Sequence, residues 1–138
     1  MDFTRRETLA LGAGAVALTV LPFRANASAD DAIAAFTGGA DVADGGVDLT
    51  APEIAENGNT VPISVAAEGA AEIMVLAAGN PTPGVATFKF GELAGSQSAS
   101  TRIRLAGTQD VIAIAKMSDG SFAQARSTVK VTIGGCGG

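Results

Sequence analysis

From Val47 to Ile133 apolar residues recur on alternate positions, a period of two that marks strands with one buried and one wet face. In "TVPISVAA", Val61, Ile63 and Val65 point one way while Pro62 and Ser64 point the other. In "ATFKF", Phe88 and Phe90 oppose Thr87 and Lys89, and in "TRIRL", Ile103 and Leu105 oppose Arg102 and Arg104. In "TVKVTI", Val129, Val131 and Ile133 oppose Thr128, Lys130 and Thr132. Turn signals lie between these runs: "ENGN" at 56–59, "GNPTPG" at 79–84, "LAGSQS" at 93–98 and "SDG" at 118–120. Pro52 and Pro62 mark edge positions or strand starts. Ahead of the strands, Asp30–Phe36 ("DDAIAAF") predicts one or two turns of helix with acids at its favourable N-terminal end, and "TGGADVADGG" breaks it. Many short strands behind one short helix predict an all-β fold, an antiparallel β-sandwich.

Two segments depart from the alternation. "EIMVLAA" (72–78) and "DVIAIAKM" (110–117) are apolar on both faces. Two readings stay open. These are central strands whose outer face is filled by small alanines, or the outer face carries Met74, Leu76, Ile112 and Ile114 and is covered by another protein. The second reading follows because a two-layer sandwich has no third layer to hide such residues.

The first 27 residues have a different character. Arg5-Arg6, an apolar run from Leu9 to Leu21 and the small-residue site Ala25-Asn26-Ala27 make an export signal. The run falls short of the roughly 20 residues that span a bilayer. "TRRETL" (4–9) resembles the twin-arginine export motif. The expected organisation is therefore a twin-arginine-type export signal at 1–27, a sandwich domain at 28–133 and a flexible arm at 134–138, with the mature protein in the periplasm and no membrane segment left in it. Removing 27 of 138 residues leaves 111, with six basic and twelve acidic side chains and a net charge of −6. An acidic surface repels phosphate backbones, and with no tyrosine or tryptophan there is little on which bases could stack, so nucleic acid is excluded as a partner.

The chain has no histidine, which removes Ser-His-Asp and Cys-His catalysis and the ordinary zinc and blue-copper sites. Asp41, Asp44 and Asp48 stand near glycines but lack the ligand spacing of a calcium loop, and read as a solvated acidic turn. Glu53, Glu56, Glu68 and Glu92 are scattered without pairing signals, and no glycine-rich phosphate loop precedes a helix. The pattern is that of a protein without catalytic, metal or cofactor residues. What remains is the tail, "VKVTIGGCGG" (129–138), where the single cysteine, Cys136, stands between Gly134-Gly135 and Gly137-Gly138. One cysteine permits no internal disulfide. Glycine has the widest backbone freedom, so the last five residues predict an arm that reaches about 17 Å when extended. No basic residue flanks Cys136, which suits an attachment point activated by a receiving enzyme better than a redox catalyst.

The leader, "APEIAENGNTVPISV" (51–65), "NPTPGVATFKF" (80–90), "RIRLAGTQDVIAIAKMSDG" (102–120) and above all the terminal "GGCGG" together resemble the SoxY family, the sulfur-carrier subunits of the bacterial periplasmic thiosulfate-oxidising (Sox) system. That resemblance implies an immunoglobulin-like antiparallel sandwich that forms a heterodimer with a SoxZ-like subunit. It also implies that Cys136 carries sulfur intermediates covalently, while Gly134, Gly135, Gly137 and Gly138 give the arm its flexibility. In the family, the c-type cytochrome SoxXA joins thiosulfate to the cysteine, the hydrolase SoxB releases sulfate and leaves a persulfide, and the sulfane dehydrogenase SoxCD oxidises the remaining sulfur. The carrier is then a substrate of these transient partners and not itself an enzyme. The alternatives are an exported structural or adhesion subunit linked through its terminal cysteine, and a ubiquitin-like carrier using a terminal Gly-Gly thiocarboxylate. The export signal and the sandwich pattern both argue against the last.

Overall fold

Ser28 begins the part of the chain that the structure, a computed structural model, describes, which is residues 28–134. It caps helix α1 (Ala29–Thr37): its side chain accepts the Asp31 N–H at 3.1 Å, and the Asp31 carboxylate accepts the Ser28 N–H at 3.3 Å. This reciprocal capping box satisfies two amides that the first turn leaves unpaired. Asp30 and Asp31 in the first turn suit the positive end of the helix, and Gly38 ends it in the left-handed region at φ 66°. The expected helix is present, extended by one residue at each end.

Nine strands follow: β1 (Val42–Asp44), β2 (Asp48–Thr50), β3 (Ile54–Asn57), β4 (Val61–Ala66), β5 (Ala70–Ala77), β6 (Gly84–Lys89), β7 (Ser98–Ile103), β8 (Gln109–Met117) and β9 (Phe122–Ile133). They form two sheets, one in the order β1-β9-β8-β5-β6 with β3 also paired to β9, the other in the order β2-β4-β7. The pairings are antiparallel except for those of β1 and β3, which lie parallel to β9 on its outer edge. Strand β1 falls inside the segment expected to be a helix-breaking loop. It is too short to show a period of its own, and its pairing with Val42 opposite Phe122 is what defines it. Pro62 sits second in β4, paired only with Arg102 of β7, because β2 reaches no further along β4 than Ser64. The missing N–H of proline therefore costs no ladder bond on the β2 side.

The sandwich core lies between the sheets. Val61, Ile63 and Val65 of β4 meet Ile73 and Val75 of β5, Val111 of β8 and Val129 of β9, with Phe88 and Phe90 packed against its margin. Strands β5 and β8 are the central strands expected, but their faces are the reverse of the first reading. The small side chains Ala77, Ala113 and Ala115 point into the sandwich core, and Met74, Leu76, Ile112 and Ile114 point outward with Phe122 into a second apolar cluster. The cover over that cluster is not another protein. It is α1, whose Ala32, Ile33 and Phe36 pack against it together with Val42. Phe36 meets Phe122 edge to face, with ring centroids 5.9 Å apart at 70°. Ile114 is fully buried and Ile112 is 1% exposed within this one chain. The physical reason is a third layer, a helix on the outer face of the larger sheet. Ile33 and Phe36, three apart, share one side of the helix and supply it.

One further departure bears on the tail. Val129 is fully buried, but Ile133 on the same alternation is 65% exposed. The last β8 partner of β9 is Gln109, opposite Val129, so beyond that point β9 overhangs β8 and only β3 flanks it.

Candidate functional site at the root of the tail

The leader at 1–27, Cys136 and the glycines at 135, 137 and 138 lie outside the described residues. What the structure places is the point of departure of the tail. At the overhanging end of β9, the turn after β3 closes one side. Gly58 donates its N–H to the Ile133 carbonyl at 2.7 Å and accepts the Leu105 N–H on its own carbonyl, also at 2.7 Å. A single residue thereby ties the end of β9 to the loop between β7 and β8. That loop adds its own tie, because Thr108 Oγ1 accepts the Val131 N–H at 2.9 Å.

Gly134 comes next, and it lies against the carbonyl of Ala106 in the same loop. A Cβ at 134 would collide with that oxygen. The lack of a side chain at 134 is thus a packing requirement, apart from any freedom it gives the backbone. Gly134 is the one arm glycine among the described residues.

Beneath the loop two amides are buried, Asn80 at 5% exposure and Gln109 at 8%. Asn80 Nδ2 donates to the Arg104 carbonyl at 2.8 Å, and Asn80 Oδ1 accepts the Ala106 N–H at 2.9 Å. Gln109 Nε2 donates to Asn80 Oδ1 at 2.8 Å and to the Gly107 carbonyl at 3.0 Å, while Gln109 Oε1 accepts the Gly79 N–H at 2.8 Å. Gly79 lets the two come together, since a Cβ there would stand 3.0 Å from Gln109 Cβ. Among the described residues no buried side-chain nitrogen or oxygen is left without a partner. The sequence places Asn80 in the turn signal at 79–84 and gives Gln109 no reading of its own. Their partnership spans 29 positions and has no local signal.

The chemistry at this end is sparse. Arg104 and Lys130 are exposed cations, Glu53 and Glu56 exposed carboxylates, and the rest is backbone, hydroxyl and amide. The described residues hold no group of three or more His, Cys, Asp or Glu side chains suited to a metal. Asp44, from the acidic stretch 41–48, accepts a hydrogen bond from Gln124 Nε2 at 2.9 Å. A perturbed carboxyl lies in the β8–β9 hairpin, at the other end of β9 and roughly 35–40 Å from the tail for a strand of this length. There the Ser121 hydroxyl and then its N–H, both donating to Asp119 Oδ1, hold the Asp119 carboxyl below its ordinary value. An open hollow lined by Asp48, Glu68, Gln97 and Met117 is likewise at the end away from the tail.

A family model, that of the sulfur oxidation protein SoxY, matches residues 33–136, so the matched span runs from α1 through the sandwich and ends on the cysteine. The chain belongs to the SoxY family. Among solved structures, the sulfur carrier protein SoxY from Chlorobium limicola f. thiosulfatophilum is 35% identical over 74% of this chain and 90% of its own, with a TM-score of 0.66. This chain is also similar to superoxide reductase (neelaredoxin) from Ignicoccus hospitalis, at 15% identity over 63% of this chain and 80% of that one, TM-score 0.56. A putative superoxide reductase from Thermotoga maritima gives 16% identity over 70% and 89%, TM-score 0.51. Identities this low show a shared immunoglobulin-like sandwich and nothing of function. No curated protein matches the chain.

Proposed function

We propose that this chain is a covalent carrier of sulfur intermediates in thiosulfate oxidation, and that Cys136 on a swinging arm is its attachment point. The observation that carries the reading is the SoxY family match, which extends past the sandwich to Cys136 itself and is joined by a solved sulfur carrier at 35% identity. The sequence around Cys136 is in keeping with it, since glycines on both sides leave a thin backbone that a narrow channel can admit. The sandwich remains outside as the handle.

In this reading the c-type cytochrome SoxXA takes two electrons while the Cys136 thiol and the sulfane sulfur of thiosulfate form an S–S bond, and the thiol proton is released. SoxB then adds water across the bond between the sulfane sulfur and the sulfonate. Sulfate leaves and Cys136 keeps a persulfide. SoxCD oxidises the outer sulfur to a sulfonate with oxygen from water, and a second hydrolysis returns the free thiol. The carrier pairs with a SoxZ-like subunit, and α1 excludes the outer face of β5 and β8 as the seat for it. A twin-arginine leader at 1–27 delivers the protein to the periplasm. Replacing Arg5 and Arg6 with lysine should therefore leave precursor in the cytoplasm.

The test is the mass of the C-terminal peptide after incubation with thiosulfate and the partner enzymes. Sulfur adducts on Cys136 are expected, and Cys136→Ser should abolish turnover without changing the melting temperature. An unmodified thiol in the complete system, or full turnover by the serine variant, overturns the reading. A thiol found only as a disulfide between chains points to the structural or adhesion subunit instead.

A further inference from the structure

We infer that Asn80 and Gln109 are positioning residues that fix where the arm begins, with Gly134 as its seated root. The inference rests on the carrier reading for its purpose, but its geometry stands on described residues alone.

Two buried amides bonded to each other and to the backbone are an unusual way to fill the end of a sandwich. Apolar residues of the same size would bury as well, and the net gain from each hydrogen bond between neutral groups is small. What the network supplies is shape. Asn80 holds the loop at Arg104 and Ala106, Gln109 holds it at Gly107, and Gln109 Nε2 bonds the two together. The Ala106 carbonyl therefore lies in a segment held on both sides, and that oxygen is the surface on which Gly134 sits. Gly58 fixes the preceding residue by its bond to the Ile133 carbonyl. Both flanks of the tail's first peptide are thus set before the tail leaves the fold.

The consequence is a shorter tether than the run of glycines implies. Counted from Ile133 the cysteine is three residues away, about 10 Å of extended chain, whereas from a seated Gly134 it is two, about 7 Å. The volume open to the thiol scales as the cube of that length. Seating Gly134 therefore concentrates the thiol about threefold at the mouth of the fold, in the manner of any shortened linker. A receiving enzyme that grips this end of the sandwich meets the cysteine in a narrower cone.

Two nitroxide labels read this directly, one on Cys136 and one on Lys116→Cys, an exposed position toward the far end of β8. The full-length mature chain should give a narrow distance distribution by pulsed electron paramagnetic resonance. Asn80→Ala and Gly134→Ala should each broaden and shift it, whereas Gly137→Ala, beyond the cysteine, should not. With the unlabelled variants, the KM for the carrier of the enzyme that loads thiosulfate should rise about threefold at unchanged kcat when the carrier concentration is counted as folded chain by circular dichroism, a correction that removes any rise due to loss of folded protein alone. If Asn80→Ala does not fold, Gly134→Ala carries the test, because it perturbs the seat from the tail side. Distance distributions identical to the parent chain, or unchanged KM in a folded Gly134→Ala, overturn the inference. Shifted distributions with no sulfur adduct on Cys136 in the complete system would retain the seat, end its role in transfer and sink the carrier reading separately.

Discussion

Replacing Ile114 with aspartate should remove most of the stability of this chain at pH 7, and the size of the effect follows from where Ile114 lies. Its side chain is fully buried among Met74, Leu76, Ile112 and Phe122, with Ile33 and Phe36 of α1 above. Losing the isoleucine forfeits about 2 kcal/mol of apolar burial. The cations on the same face as the new carboxyl, Lys116 two positions along β8 and Arg126 opposite Ile112, are exposed at its margin, and Arg126 already faces Asp110 at 3.9 Å. The cross-strand neighbour of position 114 is Gln124, whose amide is already bonded to Asp44. The carboxyl must therefore fold in its protonated form. Taking up a proton at pH 7 against an ordinary value near 3.9 costs about 4 kcal/mol. The total, about 6 kcal/mol, falls within the 5–15 kcal/mol that holds a typical domain together. Ile114→Val should cost only about 1 kcal/mol. The chain has no tryptophan or tyrosine, so urea unfolding is best followed by far-ultraviolet circular dichroism. A pH series adds a signature of the mechanism. The folded-state value of the new carboxyl is raised, so the variant binds more protons folded than unfolded above pH 4. Its stability should fall by about 1.4 kcal/mol per unit as pH rises from 4 toward 7, relative to the parent. A variant that folds like the parent at pH 7 and merely loses a partner subunit would refute the reasoning, because α1 could not then be what covers this face.

Two further predictions concern the same layer and the far hairpin. In a double-mutant cycle, Phe36→Ala and Phe122→Ala should show a coupling of about 0.5–1.5 kcal/mol from their edge-to-face contact, read from urea midpoints; strict additivity would mean that the helix is not docked. Asp119 should titrate, by carboxyl chemical shift, below the ordinary aspartate value, and Ser121→Ala should move it back up. Because that value is lowered, the contribution of the turn to stability is present above the unfolded value and is lost as pH falls through the folded one.

The sandwich was legible because its strands each carry a face. Val61, Ile63 and Val65 announce a buried side in three alternate letters, and the structure puts all three in the core. The helix was legible from Asp30-Asp31 and the alanines behind them. What was not legible was the meeting of the two. Ile33 and Phe36 on one side of a short helix, and Leu76, Ile112 and Ile114 on the outside of two strands, are complementary surfaces separated by some 40 to 80 residues, and neither names the other. Short strands β1 and β3 escaped for a similar reason, since each is defined by β9, near the other end of the chain. The cysteine and its glycines stood out by composition alone. The polar network under Gly134 did not, because asparagine before proline looks like any turn until Gln109 is seen beside it.

The attachment of the tail to β9 has a mechanical side. An interior strand of the larger sheet, β9 is bonded to β8 over residues 122–129 on one side and to β1 and β3 on the other. A pull on the tail runs along that strand and loads the ladder bonds in shear. Had the tail followed an edge strand such as β6 or β7, the same pull would have a single neighbouring strand to load. Through β9 the load meets β3 first, along residues 130–133, and then β8 along residues 122–129. The tail thus leaves from a strand whose length is shared between the ladders of β3 and β8.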